Sequence, residues 1–377
     1  MHKSTLWLRH ETKPFEKRTA ITPSAAKVIL EAGHDVVVEK SPIRIYDIEE
    51  YREVGATIVP MNSWIHSAPE DAIIIGLKEL ENKDFPLRRR HIHFAHVYKG
   101  QIGSSETLTR FAKGGGLLYD LEYLEDENQR RIAAFGVWAG YTGAALGVAT
   151  WACAQIGKSL NEEAPLLPYE NSITMAEEIS RRLDQTGRKP EVLIIGANGR
   201  CGIGAQKLLE SLGINAALWG SRETKDRGAI REILSFDLLI NTALMKTKVA
   251  PWLTEEMIDE ERKLTAISDI SCDPTGPYNP LPIYSKGTTI DKPVRRLRED
   301  KLLEITAIDH LPSLLPRESS DDFCNQLLPY LISFLNGKIE NTPWERSLEI
   351  FYKKTHELNL GDIRIPVSRD NTPQWLN

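Results

Sequence analysis

The chain has 377 residues, which at about 150 residues per domain points to two domains. Its 47 Lys and Arg against 53 Asp and Glu leave a net charge of −6, so it lacks the basic excess of a general nucleic-acid binder. With 41% hydrophobic and 27% charged residues, it does not have the composition of a collagen, a disordered chain or a disulfide scaffold.

The four cysteines, Cys153, Cys201, Cys272 and Cys324, form no CxxC pair, so no metal site is expected. Their scarcity points to a reducing compartment, and a cytoplasmic location is expected. Residues 1–9 lack a sustained apolar run and a cleavage signature, so they do not read as a signal peptide.

In chain order, a first short strand leads into a polar loop, ETKPFEKRTAITP, that carries Lys13 and Arg18. Residues 23–33 read as a helix opened by Pro23 and closed by Gly33. Strands are expected at 36–38, 72–76, 91–97 and 117–121; the run AIIIG at 72–76 is apolar on both faces, as a parallel strand between helices would be. This alternation predicts an α/β layer with a parallel sheet.

Residues 132–157 carry no charge and are long enough to cross a bilayer. Five glycines (136, 140, 143, 147 and 157), with Tyr141, Thr142, Thr150 and Gln155, favour a buried helix between domains, and no membrane partner is expected. After a polar stretch at 158–168 a second alternating block begins. Strands are expected at 192–195, 216–219, 238–240 and 266–270, with a helix at 205–212. From about Asp322 the pattern turns helical, and a charged helix covers 344–358. The tail after Gly361 has little periodicity.

The segment EVLIIGANGRCGIG runs an apolar strand into Gly196, Gly199 and Gly202 and then into a helix. Glycines there allow a tight turn and let backbone N–H groups approach a pyrophosphate. The spacing is GxxGxxG; Ala197 replaces the first glycine of a strict GxGxxG. The acidic residue expected for a ribose hydroxyl at the end of the next strand is missing, because Trp219 is followed by Gly220, Ser221 and Arg222, and Glu223 comes late. Arg222, with Lys225 nearby, suits a 2′-phosphate, so this turn leans toward NADP(H).

In the first block, Lys78 follows the strongest strand, and His96 ends the next, with Lys99 just beyond. Ligands of open α/β sheets sit at the carboxyl ends of strands, which makes Lys78 and His96 a candidate base and acid pair. Taken singly, each reads more simply as a surface lysine and a core histidine. Arg130 and Arg131 precede the uncharged helix and suit carboxylates; Arg88, Arg89 and Arg90 read as a solvated turn.

Several segments carry a family likeness. LWLRHETKPFEKRTAITP (6–23), IIIGLKE (73–79), FAHVYKGQ (94–101), YDLEYLED (119–126), RRIAAFG (130–136), GANGRCG (196–202) and IDHLPSLLPRE (308–318) resemble the fungal, lysine-forming saccharopine dehydrogenases. The likeness runs in order from about residue 5 to 350. It implies a fold similar to that of alanine dehydrogenase: two Rossmann-like domains with parallel sheets and the active site in the cleft. Residues 1–135 with about 325–377 would form the substrate domain, and 136–324 the dinucleotide domain.

The resemblance further implies oxidation of saccharopine to an imine by hydride transfer to NAD. Hydrolysis then gives lysine and 2-oxoglutarate, in a monomer or small homo-oligomer. By motif, Lys78 resembles the general base and His96 the general acid. Lys13, Arg18, Lys99, Gln101, Arg131, Phe135, Ser271, Cys272 and Asp273 fall on the substrate side. Arg130, Gly199, Arg200, Thr224, Ile270, Ile308, Asp309, His310 and Leu311 fall on the nucleotide side, to which the chemistry of the two turns adds Gly196, Gly202, Ser221 and Arg222. Glu79 and Glu122 resemble charge-tuning carboxylates. The chain departs from the family where Gly220 replaces an aspartate, Thr242 falls near a missing cysteine, and Leu244 replaces a tyrosine. These departures leave NAD against NADP open. They also leave room for a related opine-type or alanine-dehydrogenase-like oxidoreductase, or a non-catalytic nucleotide sensor.

Overall fold

The computed structural model describes residues 3–81, 83–245, 247–358 and 360; the tail after Gly361 lies outside them. The chain divides into two compact units. One comprises residues up to Ala134 together with those from Ser320 onward; the other is Phe135–Ser319.

The first unit contains β1 (Thr5–Leu8), α1 (Pro23–Glu31), β2 (Asp35–Glu39), α2 (Ile48–Glu53), β3 (Thr57–Val59), α3 (Trp64–Ser67), β4 (Ile73–Ile75), β5 (Arg90–His93), α4 (Ser104–Gly114) and β6 (Leu117–Asp120). Its six strands are ordered β3-β2-β1-β4-β5-β6 and all run parallel. Thr22 caps α1 by accepting from the Ala25 N–H, Pro23 opens it, and Gly33 at φ +91° turns the chain away. Every residue of β4 is buried, as expected of a strand covered on both faces.

The second unit contains α5 (Gly136–Gln155), α6 (Ser172–Asp184), β7 (Val192–Ile195), α7 (Arg200–Ser211), β8 (Ala216–Trp219), α8 (Ser221–Thr224), β9 (Leu238–Asn241), α9 (Glu255–Asp259), β10 (Ala266–Asp269), β11 (Arg295–Arg298) and β12 (Leu303–Thr306). Its sheet order is β11-β12-β10-β9-β7-β8. The expectation of purely parallel sheets needs one correction: β11 pairs antiparallel with β12 at the edge. No crossover helix separates the two strands, so a short return suffices.

The last helices, α10 (Pro316–Leu335) and α11 (Pro343–Glu357), supply aromatic side chains to the core of the first unit. Phe323 meets Phe94 at 5.9 Å between ring centres, and Phe334 and Trp344 pack on Tyr119 at 4.8 and 6.0 Å. The Ser4 hydroxyl donates to the Leu335 carbonyl and Ser347 to the Asp120 carbonyl, tying both helices to the sheet.

Residues 132–134 of the uncharged segment 132–157 belong to the first unit; most of the segment forms α5, which belongs to the second unit rather than lying between domains. Its residues from Gly140 to Ala154 are all buried, and no helix among the described residues is long and apolar enough to cross a membrane. Its small residues let α7 come close. A Cβ on Gly204 of α7 would fall on the Val137 carbonyl, and one on Gly140 would fall on the Cys201 carbonyl. We predict that Gly204→Ala destabilises the protein by about 1–3 kcal/mol or more, because the clash is with backbone that cannot turn aside. A urea titration that left the midpoint unchanged would contradict this packing.

Candidate active site

In both units the strand order reverses beside the first strand, between β1 and β4 in one and between β7 and β9 in the other. Ligands of open α/β sheets bind outside the carboxyl ends of strands at such points. Lys13, Arg18, Lys78 and Glu79 lie beside the first of these reversals and the glycine-rich turn beside the second; the other expected residues follow neighbouring strands or turns.

In the first unit, the loop after β1 brings Lys13 and Arg18 to Lys78, which follows β4. Arg18 forms a buried ion pair with Glu16 at 2.7 Å, and Lys13 pairs with Glu79 at 2.6 Å. Glu11 fixes the end of β4: its carboxylate accepts from the Leu77 N–H at 2.6 Å and the Lys78 N–H at 3.0 Å. Arg9 donates to the Lys78 carbonyl and lies against Gly76, where any Cβ would collide with the guanidinium. Burial, then the positive charges of Arg18 and Lys13, hold the Lys78 ammonium below the usual lysine range. Burial works to raise Glu16 and Glu79, but Arg18 and Lys13 outweigh it and keep both carboxylates acidic.

A second cluster follows β5 and β6. The strand expected at 91–97 is shorter: β5 ends at His93, and His96 stands three residues later, exposed, with φ +55°. The buried histidines of β5 are instead His91 and His93, which burial keeps from charging. Lys99 pairs with Glu122 at 2.8 Å, and Arg131 approaches the same carboxylate at 3.8 Å. Arg131 also lies 5.9 Å over the Phe94 ring. The Gln101 side-chain oxygen accepts from the Lys99 N–H. The Glu122 bond raises the basicity of Lys99, so this cation stays charged. Arg88 is exposed as expected of a solvated turn, but Arg89 and Arg90 donate to the carbonyls of Ala68, Pro69 and Asp71.

Asp120 underlies this cluster. It ends β6 fully buried, and its Oδ1 accepts from the Glu122 N–H at 2.9 Å. Burial pushes its carboxyl up to about 7.

In the second unit the glycine-rich turn links β7 to α7. Gly196 has φ +86°, and a Cβ there would meet Thr242 and Ala243; one on Gly202 would meet Ala197 at 2.5 Å. Gly199 is different: its Cβ position meets only the Gly196 carbonyl at 3.4 Å and is otherwise open. Asn198, Gly199 and Arg200 are exposed at the start of a twelve-residue helix, so the turn can receive a pyrophosphate. Ser221, Arg222 and Thr224 follow β8, Ile270 follows β10, and Ile308, Asp309, His310 and Leu311 follow β12, all on the same edge of the sheet. The Thr224 hydroxyl is spent on the Gly220 carbonyl.

Ser271 and Cys272 likewise donate to the carbonyls of Ala243 and Ala307, and burial pushes the Cys272 thiol up to about 12; Asp273 is exposed. Arg130 sits on a tight turn of the first unit, and Phe135 precedes α5 in the second.

Sequence reasoning passed over Glu11, Glu16 and Asp120. The alternating charges of RHETKPFEKR and the aspartate closing an apolar strand were the available signals.

The alanine dehydrogenase/PNT N-terminal domain family matches residues 7–142, and its C-terminal domain family matches 146–350. The chain is 44% identical to the saccharopine dehydrogenase [NAD(+), L-lysine-forming] of Yarrowia lipolytica, covering 95% of this chain and 98% of that one. It is 45% identical to the enzyme of the same name from Candida glabrata, over 92% and 96%. The chain belongs to the lysine-forming saccharopine dehydrogenase family. A solved L-alanine dehydrogenase shares the fold with a TM-score of 0.62 at 17% identity, covering 93% of this chain and 94% of that one. A transhydrogenase from Sinorhizobium meliloti gives 0.52 at 16% identity, over 88% and 94%.

Asp120 generates a pH test in this family member. Its carboxyl holds a proton more tightly in the folded state than in the unfolded chain. Its contribution is therefore complete below about pH 4 and is lost as pH rises through about 7. Asp120→Asn, which keeps the acceptor for the Glu122 N–H, is expected to flatten the fall of Tm with pH across that window. Thermal unfolding at its two ends checks this; an unaltered slope counts against a buried, proton-holding Asp120.

Proposed function

We propose that the protein is an NAD-dependent saccharopine dehydrogenase, oxidising saccharopine to lysine and 2-oxoglutarate and catalysing the reverse condensation. The observation that carries this reading is the Lys78 group: a lysine of lowered basicity among paired cations, beside the strand reversal of the first sheet. The name that the relatives share supplies the substrate class and NAD.

When bound, the nicotinamide supplies the oxidation by taking hydride from the carbon beside the secondary amine. The chain's own groups bind the substrate and move protons. Saccharopine has three carboxylates, and Lys13, Arg18, Lys99 and Arg131 are the cations available to them. Lys13 and Lys99 are about half exposed or more and can swing to a ligand, whereas Arg18 is held by Glu16. Lys78 takes the proton from the amine nitrogen, releases it to solvent, and then takes a proton from the water that adds to the imine carbon. His96 protonates the nitrogen that departs as the lysine amine. Gln101, Phe135, Ser271, Cys272 and Asp273 are the remaining substrate contacts. The nucleotide contacts are Arg130, Gly196, Gly199, Arg200, Gly202, Ser221, Arg222, Thr224, Ile270 and residues 308–311. All four cysteines are free of disulfides, which supports a reducing, cytoplasmic setting.

Lys78→Met combined with His96→Gln is expected to lower turnover by about a hundredfold or more while NADH still binds. Assays of NADH oxidation with lysine and 2-oxoglutarate, beside nucleotide titrations, test this; unchanged turnover refutes the two roles. Because the Lys78 ammonium loses its proton more readily than an ordinary lysine, kcat/KM for saccharopine oxidation should rise with pH and level off below the ordinary lysine range. A rise that continued through that range would assign the base elsewhere.

A further inference from the structure

The turn after β8 carries no acidic residue at the strand's end, yet a carboxylate reaches that place. Gly220 follows the last residue of β8, and the Glu223 side chain folds back so that its Oε2 accepts from the Gly220 N–H at 2.7 Å. The Gly220 carbonyl accepts from the Thr224 hydroxyl at 3.1 Å, so the short α8 is fastened to the strand end on both sides of the peptide. The glycine-rich turn is fastened to the same strand: the N–H groups of Gly196 and Ala197 both donate to the Trp219 carbonyl, at 2.8 and 3.1 Å. A Cβ built on Gly220 would lie 3.1 Å from the Asn198 amide nitrogen and 3.7 Å from Glu223 Oε2. The amide of the phosphate-binding turn and the carboxylate of α8 therefore meet above one glycine. Arg222, between them in sequence, is exposed.

We propose that Glu223 is the residue that selects NAD(H) over NADP(H), occupying from three residues downstream the place that Gly220 leaves vacant. The inference rests on the reading of this turn as the dinucleotide site. A carboxylate offers only acceptors. It accepts from the ribose hydroxyls of NAD(H) while one oxygen remains on the Gly220 N–H. In NADP(H) the 2′-hydroxyl donor is replaced by a phosphate, which brings negative charge against the carboxylate. The exposed Arg222 favours the opposite choice, but Glu223 is held in place by the backbone and Arg222 stands on the solvent side of the turn.

The test uses direct titration of the full chain with NADH and NADPH, read by nucleotide fluorescence without substrate. Wild type is expected to bind NADH at least about tenfold more tightly, the worth of one charge-assisted hydrogen bond. Glu223→Gln keeps an acceptor for the Gly220 N–H and removes the charge; it should narrow the ratio by about tenfold. Gly220→Asp added to Glu223→Gln returns a carboxylate to the strand end, where φ is −111° and the Cβ meets only the ends of the Asn198 and residue-223 side chains, which can turn aside, and should restore the NADH preference. Equal binding of the two nucleotides by wild type, or a ratio that Glu223→Gln leaves unchanged, overturns the proposal while leaving the dinucleotide site standing. A loss that Gly220→Asp does not recover traces the effect to the loop and also overturns it. Binding of neither nucleotide overturns the dinucleotide reading itself.

Discussion

Lys78 stands where a lysine's charged form is costly, and the charged groups around it in the first unit are arranged about that one ammonium. Lys78 is drawn out of water and faced with Arg18 and Lys13, so its proton is easily released. Two cations beside it would be intolerable alone. Glu16 and Glu79 make them possible by pairing with each, and Glu122 does the same for Lys99 and Arg131. The carboxylates thus act twice. They offset the positive charge of the cluster, and they hold the half-exposed Lys13 and Lys99 in ion pairs that a competing anion can replace. Removing one partner of the Arg18–Glu16 pair would leave a buried charge uncompensated, a far larger disturbance than removing an exposed pair.

Backbone geometry carries the same burden in the second unit, with glycines in place of ion pairs. Gly196 turns the chain, Gly202 lets α7 begin against Ala197, and Gly140 and Gly204 let α7 approach α5. Gly199 alone of these has open space in front of it. Four positions are therefore bound to packing, and one is left open. A motif read only as spaced glycines does not separate the two kinds.

Much of this was visible in the sequence where a local pattern coincided with burial. The all-apolar β4 and β7, the capped α1 and the glycine-rich turn all stand where the patterns place them. The placing of Lys78 and His96 after strands was legible, although β5 ends at His93, four residues short of the expected end. What stayed hidden depended on distant partners. The strand RRLR at 295–298 is charged because Arg296 and Arg298 pair with Glu304, Asp259 and Glu255 across the sheet edge, so no apolar alternation marks it. α10 begins at Pro316, several residues before its apolar run. α6 went unread although Asn171 caps it through the Thr174 N–H. Glu223 was discounted for its distance in sequence, which a single helical turn removes.

The discontinuity of the first unit bears on how the protein is made. Its sheet leaves the ribosome first, but Ser4, Thr19, Phe94, Tyr119 and Asp120 find their partners in Leu335, Ser320, Phe323, Trp344 and Ser347, more than two hundred positions later. The second unit is one unbroken stretch and can close while synthesis continues. During translation the earlier-made sheet waits with part of its apolar face uncovered, and only the final helices seal it. Release of a truncated product would therefore spare the second unit and strand the first, which makes the last helices a checkpoint for completion of the chain.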